Sequence, residues 1–198
     1  MSVRCFPVDK SAEVGETFAA AADFVYNGNM SAAVLVSQRV IGLTSPGNVA
    51  YVERLGCCDE VVAYGQEQRI DAAVPAAYVD MSGDARLTAT LHRLLGANMV
   101  NSAMVGATHW EQRGETGDLP GAKPTFFFAP AQIGKRDAQW GPGAAMAKAM
   151  AASAQVAQKW QGELAVEWIR DVDGLAALWR QLLDNEIAPS RGLMVSLL

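Results

Sequence analysis

Four short polar segments carry the residue types that could do chemistry, and each follows an apolar run. Thr44, Ser45 and Asn48 come after Val40–Leu43 and offer neutral hydrogen-bonding groups without a charge. Asp80, Ser82 and Gly83 close the run Ala76–Met81, combining a carboxylate, a hydroxyl and a glycine that permits close approach. Gly106, Thr108 and His109 follow Met99–Val105. Histidine exchanges protons near neutral pH, so His109 is the candidate acid/base. Gln132, Lys135 and Arg136 lie beyond Thr125–Phe128 in what reads as a small basic loop, able to meet a carboxylate or phosphate. Each segment also has a purely structural reading. Ser45 suits a helix N-cap with Pro46 at the first helical position, and Ser82 or Asp84 suits another. His109 can stack beside Trp110, and the basic residues can be solvated.

Other chemistry is poorly supplied. The cysteines are Cys5, Cys57 and Cys58, with no CxxC spacing, and the histidines are His92 and His109, so no metal site is expected. Vicinal Cys57 and Cys58 would close a strained ring, and they read as small residues at a helix–strand junction in a reducing cytoplasm. A net charge of −5 and a pI near 5.0 argue against a nucleic-acid surface. No apolar run approaches the roughly 20 residues of a membrane helix, and no secretory signal opens the chain. With 198 residues, 51% hydrophobic, the chain can bury a sizeable core.

The elements that must position these residues alternate. The stretch from Val40 to Gly65 reads as strand, tight turn, helix and strand: Val49, Val52 and Leu55 form a helical stripe, Gly56 stops it, and Val61–Tyr64 resumes a strand. Ala76–Met81 is a strand. The helix after it carries Leu87, Leu91, Leu94 and Leu95 on one face and stops at Gly96. Met99–Val105 and Thr125–Phe128 are further strands, the three phenylalanines reading as core, with polar loops over 107–124 and 129–143. A helix over 144–160 has Met146, Met150 and Trp160 on a packing face. Leu164–Ile169 is a strand, Leu175–Leu183 an amphipathic helix, and Leu193–Leu198 a closing strand. Upstream, Glu13–Tyr26 reads as an alanine-rich helix and Ser31–Gln38 as a second, short one. The alternation predicts an α/β fold with a mostly parallel sheet, whose ligands gather outside the carboxyl ends of the strands.

VIGLTSPGN followed by VERLGCCDEVVAYG, with YVDMSG and NSAMVGATHW, resembles the second to fifth strands of the medium-chain dehydrogenase/reductase superfamily, its quinone-reductase-like members in particular. LTSPGNVAYVERLG, VGATHW and PTFFFAPAQIGKRDAQWGPG together are similar to the domain of unknown function 2855 family. The resemblance covers about residues 30–198. It implies a Rossmann-like three-layer α/β domain over 30–198 and leaves 1–29 unassigned. The superfamily's first strand, glycine-rich phosphate turn and substrate domain have no counterpart, so the sheet is expected to be incomplete at its N-terminal edge. That open edge would favour a homodimer.

The resemblance implies NADPH-dependent reduction of a quinone or enone-like small molecule without zinc. Thr44, Ser45, Asn48, Asp80, Ser82, Gly83, Gly106 and Thr108 would bind cofactor, His109 would serve as acid/base, and Gln132, Lys135 and Arg136 would meet substrate. An acidic residue at the second strand end would hold a ribose 2′-hydroxyl; its absence favours NADP, bound weakly because the phosphate turn is missing. The alternative is an inactive or truncated Rossmann fragment serving as an interaction or structural module. An S-adenosylmethionine methyltransferase would want an acidic residue where Ser45 stands.

Overall fold

The computed structural model describes residues 32–36, 39–106, 117–184 and 186–196. Strands β1 (Ala32–Val36), β2 (Arg39–Thr44), β3 (Glu60–Ala63), β4 (Ala76–Asp80), β5 (Met99–Met104) and β6 (Thr125–Phe126) form one sheet in the order β3-β2-β1-β4-β5-β6. Pairing is parallel between β2 and β3, β4 and β5, and β5 and β6, and antiparallel on both sides of β1. Five strands therefore point one way and β1 points the other.

Helix α1 (Val49–Leu55) and helix α2 (Ala85–Leu95) cover opposite faces. Ile41, Leu43, Val62, Ala76, Tyr78 and Met99 pack with Leu87, Leu91 and Leu95 of α2. Val61, which points away from that cluster, packs with Val52 of α1. Val79 and Ala103 share the α1 side with Phe127. The result is a three-layer α/β arrangement, as the alternation of elements predicts. Gly56 ends α1 in the left-handed region at φ 60°. Asp84 caps α2, accepting from the Arg86 and Leu87 amides at 2.8 and 3.2 Å.

Several expectations are corrected. Ala32–Val36, expected as part of a short helix, is a strand inserted between the Val40 and Tyr78 strands, which are consequently not neighbours. It fills the position of the missing first strand in reverse direction, and the sheet edges are β3 and β6 instead. The expected loop over 129–143 is mostly helix α3 (Ala129–Trp140), begun by Pro130 and closed by Gly141. Of the expected Thr125–Phe128 strand only Thr125–Phe126 pairs, as edge strand β6; Phe126 and Phe128 are exposed, and Phe127 packs inward. In helix α4 (Ala144–Lys159), Met146 and Met150 are exposed rather than packed. The expected helix over Glu13–Tyr26 lies outside the described residues.

The chain divides into two compact units, residues 1–154 and 155–198. In the second, β7 (Ala165–Ile169) and β8 (Arg191–Val195) pair in parallel as a separate two-stranded sheet. Arg191 grips Glu167 through two bonds of 2.8 and 2.7 Å and reaches Gln181 of helix α5 (Val172–Leu183) at 3.0 Å. Among the described residues, no helix is long and apolar enough to cross a membrane.

Leu91 is fully buried where α2 meets the sheet. Leu91→Ala is expected to lower unfolding free energy by about 2–5 kcal/mol, whereas Val100→Ala, at an exposed β5 position, should cost about 0.5 kcal/mol or less. Urea unfolding of both variants checks the contrast.

Candidate functional site

Because β2, β4 and β5 run in one direction, their carboxyl ends lie along one edge of the sheet. Thr44, Ser45 and Asn48 stand at the β2 end, Asp80, Ser82 and Gly83 at the β4 end, and Gly106 beyond β5. Antiparallel β1 begins between the first two groups: Ala32 lies opposite both Leu43 and Asp80. The β2 and β4 ends are thus two strand spacings apart, about 10 Å, with the start of β1 between them.

The β4 end is a closed hydrogen-bond network. The Asp80 side chain is only 2% exposed. Its Oδ1 accepts from the Ser82 amide, the Ser82 hydroxyl and the Gly83 amide, all at 2.9 Å. Its Oδ2 accepts from the Thr88 hydroxyl at 3.3 Å. With its one proton spent there, the Thr88 oxygen accepts from the Tyr78 hydroxyl at 3.5 Å. Ser82 Oγ in turn accepts from the Asp84 amide at 3.2 Å. Burial raises the Asp80 pKa, and the bonds from Gly83, Ser82 and Thr88 oppose that rise. Burial, reinforced by the Asp80 charge, pushes Tyr78 well above its ordinary value, keeping it a neutral donor.

This turn also holds the β5 exit. The Asp80 carbonyl accepts from the Val105 and Gly106 amides at 2.8 and 3.2 Å. A Cβ on Gly106 would drive into the Met81 carbonyl, so only glycine allows this approach. Ser82, Gly83 and Gly106 are therefore brought together by Asp80, whose own oxygens are all occupied by its turn and by α2.

The β2 end is the opposite case. Ser45 takes the N-cap position before a short 3-10 turn, Pro46–Asn48, and Pro46 starts that turn as expected, but the Ser45 side chain makes no capping bond. Asn48 precedes α1 and makes none either. Thr44 is 1% exposed, and its Oγ1 has no hydrogen-bond partner among the described residues. At this strand end the Thr44 hydroxyl is thus without a partner among the described residues, and Ser45 and Asn48 leave their capping positions unused.

Gln132, Lys135 and Arg136 sit on helix α3 rather than in a loop. Arg136 is the buried residue of that helix. Its Nη1 donates to Gln139 Oε1 at 2.9 Å, and its guanidinium lies over the Trp140 ring. Thr108 and His109 lie outside the described residues. Two groups went unanticipated. Thr88 completes the Asp80 network, and its place one helical turn after Asp84 was the available signal. His92 is fully buried, with Nδ1 2.9 Å from the Pro120 carbonyl and Nε2 3.0 Å from Ser102 Oγ. A carbonyl only accepts, so Nδ1 carries a proton and donates to Pro120, while Nε2 pairs with the Ser102 hydroxyl. This histidine ties segment 117–124 to α2 and β5.

Residues 19–188 match the model of the family described as Protein of unknown function (DUF2855). No curated protein and no solved structure matches the chain.

The raised Asp80 pKa fixes a sign. Its folded-state proton stabilises the fold at acid pH, and that contribution is lost as pH rises through the raised value. Asp80→Asn keeps an acceptor towards Ser82 and Gly83 and removes the charge. Its stability relative to wild type is expected to improve between about pH 4 and about pH 7. Urea unfolding of both proteins at the two pH values reads the difference, and an unchanged difference would show that Asp80 ionisation is not coupled to folding.

Proposed function

The chain belongs to the DUF2855 family of proteins of unknown function, and we propose that it is an NADPH-dependent reductase-like protein of the zinc-independent medium-chain dehydrogenase/reductase type, acting on a quinone or enone-like small molecule. The observation that carries this reading is the polar β2 end: a buried Thr44 hydroxyl without a partner among the described residues, beside Ser45 and Asn48, which make no capping bond, with no acidic side chain in the turn. In dinucleotide-binding sheets this is where the adenosine ribose is held, and a neutral turn accommodates a 2′-phosphate that a carboxylate would repel. A buried Thr44 hydroxyl without a partner is costly in the free protein, and a ligand oxygen would relieve it.

The fit is uneven along the edge. Thr44, Ser45 and Asn48 would hold the ribose and 2′-phosphate, and Gly106, whose Cβ position is filled by the Met81 carbonyl, is assigned to the nicotinamide end through its backbone alone. The bound cofactor would supply the hydride. Thr108 is assigned to lining that end, His109 to delivering a proton, and Gln132, Lys135 and Arg136 to substrate. The pyrophosphate position fits poorly: among the described residues it coincides with the start of β1, and the element that follows β1 is strand β2 rather than a helix that could aim amides at a phosphate. Asp80 is buried and turned into its own turn and α2, away from a ribose at the edge.

That misfit favours a second reading, an inactive Rossmann-like module that acts through interactions. Calorimetric titration separates the two. NADPH is expected to bind in preference to NADH, and weakly, because each lost helix-terminus contact removes about 0.3–1 kcal/mol and several together cost an order of magnitude or more in affinity. No binding of either nucleotide supports the inactive module. Thr44→Val offers a paired readout: stability of the free protein is expected to hold or rise by about 1 kcal/mol while NADPH affinity falls. A variant that is destabilised and binds NADPH normally would refute the assignment of Thr44.

A further inference from the structure

We propose that Arg136, Trp140 and Lys148, where α3 meets the start of α4, form an oxyanion-binding site for a carboxylate or phosphate group of a small molecule. Arg136 is 5% exposed, yet its Nη2 has no hydrogen-bond partner among the described residues. Its Nη1 has only Gln139 Oε1, a neutral acceptor. Neither Arg136 nor Lys148 forms an ion pair among the described residues, unlike Arg39 and Arg69, which pair with Glu60, and Arg191, which pairs with Glu167. A buried guanidinium ordinarily has a carboxylate or phosphate partner, because desolvating its charge is expensive.

The surroundings add positive charge rather than neutralising it. Arg136 Cζ and Lys148 Nζ each lie 5.2 Å from the centroid of the same Trp140 ring. Two cations on one indole repel, and both lie within a Debye length of about 8–10 Å of any anion placed at the ring. The nearest carboxylate along the helix, Asp137, is engaged elsewhere: Oδ2 accepts from the Gly143 amide at 3.0 Å and Oδ1 from the Ala145 amide at 2.9 Å. Asp137 thereby fixes the start of α4, which sets Lys148 one turn further on. An oxyanion seated on Nη2 would satisfy the orphaned donors and screen the Arg136–Lys148 repulsion. Trp140, 38% exposed, leaves an approach from solvent.

This site extends the substrate role given to Arg136 above and does not depend on nucleotide binding, so its test uses no nucleotide. Thermal unfolding of the full chain is followed against inorganic phosphate and, separately, malonate, with sodium chloride at matched ionic strength. At least one oxyanion is expected to raise the midpoint saturably while chloride does not. Response to malonate alone assigns a carboxylate, response to phosphate alone a phosphate group, and either supports the site. Arg136→Met is expected to weaken the apparent Kd at least tenfold, and Lys148→Gln to weaken it several-fold. Lys148 is exposed, so its variant remains decisive if Arg136→Met fails to fold. A saturable response unchanged in Lys148→Gln or Arg136→Met overturns the proposal, as does the absence of any saturable response in wild type.

Discussion

One buried carboxylate organises the edge of the sheet on which the proposed cofactor-binding residues stand. Asp80 receives four donors from its own turn and from α2, and its carbonyl receives the two amides that lead out of β5. The balance is close. Burying a carboxylate costs several kcal/mol, and hydrogen bonds to a charged group return about 1.5–3 kcal/mol each. The side chain therefore contributes little net stability and a great deal of geometry. Without it, the start of α2, the Ser82–Gly83 turn and the approach of Gly106 to Met81 would each lose a fixed reference.

The direction of β1 sets the second limit. The strand order matches a doubly wound sheet whose first strand lies between the second and fourth, but two residues connect β1 to β2, too few for a crossover helix. A hairpin must run antiparallel, so the end of β1 that would carry a phosphate turn faces away from the edge where Thr44 and Asp80 stand. Strand order alone therefore does not imply a dinucleotide clamp. The clamp requires the parallel strand, its turn and the helix after it, because the amides that hold phosphate belong to that helix.

The sequence made the middle of the fold readable for definite reasons. Leu87, Leu91 and Leu95 repeat at helical spacing, Gly56 and Gly96 stop their helices, and Pro46 starts its turn, so residues 40–105 follow from pattern and punctuation. Helix α3 escaped because its buried residue is Arg136: with no apolar stripe, periodicity had nothing to find, and only Pro130 and Gly141 marked its ends. Strand β1 escaped because Ser37-Gln38 carries no Asn-Gly or Gly turn signature, so Ala32–Val36 read as helical filler. Phe126 and Phe128 misled in the other direction: Phe126 lies on a two-residue edge strand and Phe128 at the N-cap of α3, and neither place need be covered. At the site, the positions of Ser45, Ser82 and Gly106 along one edge were legible. What their polar atoms bond to was not, because donor and acceptor matching is a property of three-dimensional neighbours.

That matching divides the edge by capacity. At β4 each side-chain oxygen of Asp80, Ser82 and Thr88 already has a partner, so a ligand could enter only by displacing bonds that hold the turn. At β2 the Thr44 hydroxyl is buried without a partner among the described residues, and Ser45 and Asn48 leave their capping potential unused. An unsatisfied buried hydroxyl costs about 1–3 kcal/mol, comparable with the whole effect of a typical destabilising substitution. A sequence selected for stability alone could remove that cost by placing valine at position 44, which suits a buried strand end equally well. The β2 end therefore keeps hydrogen-bonding capacity that the proposed ligand would use, whereas at the β4 end that capacity is spent on the frame.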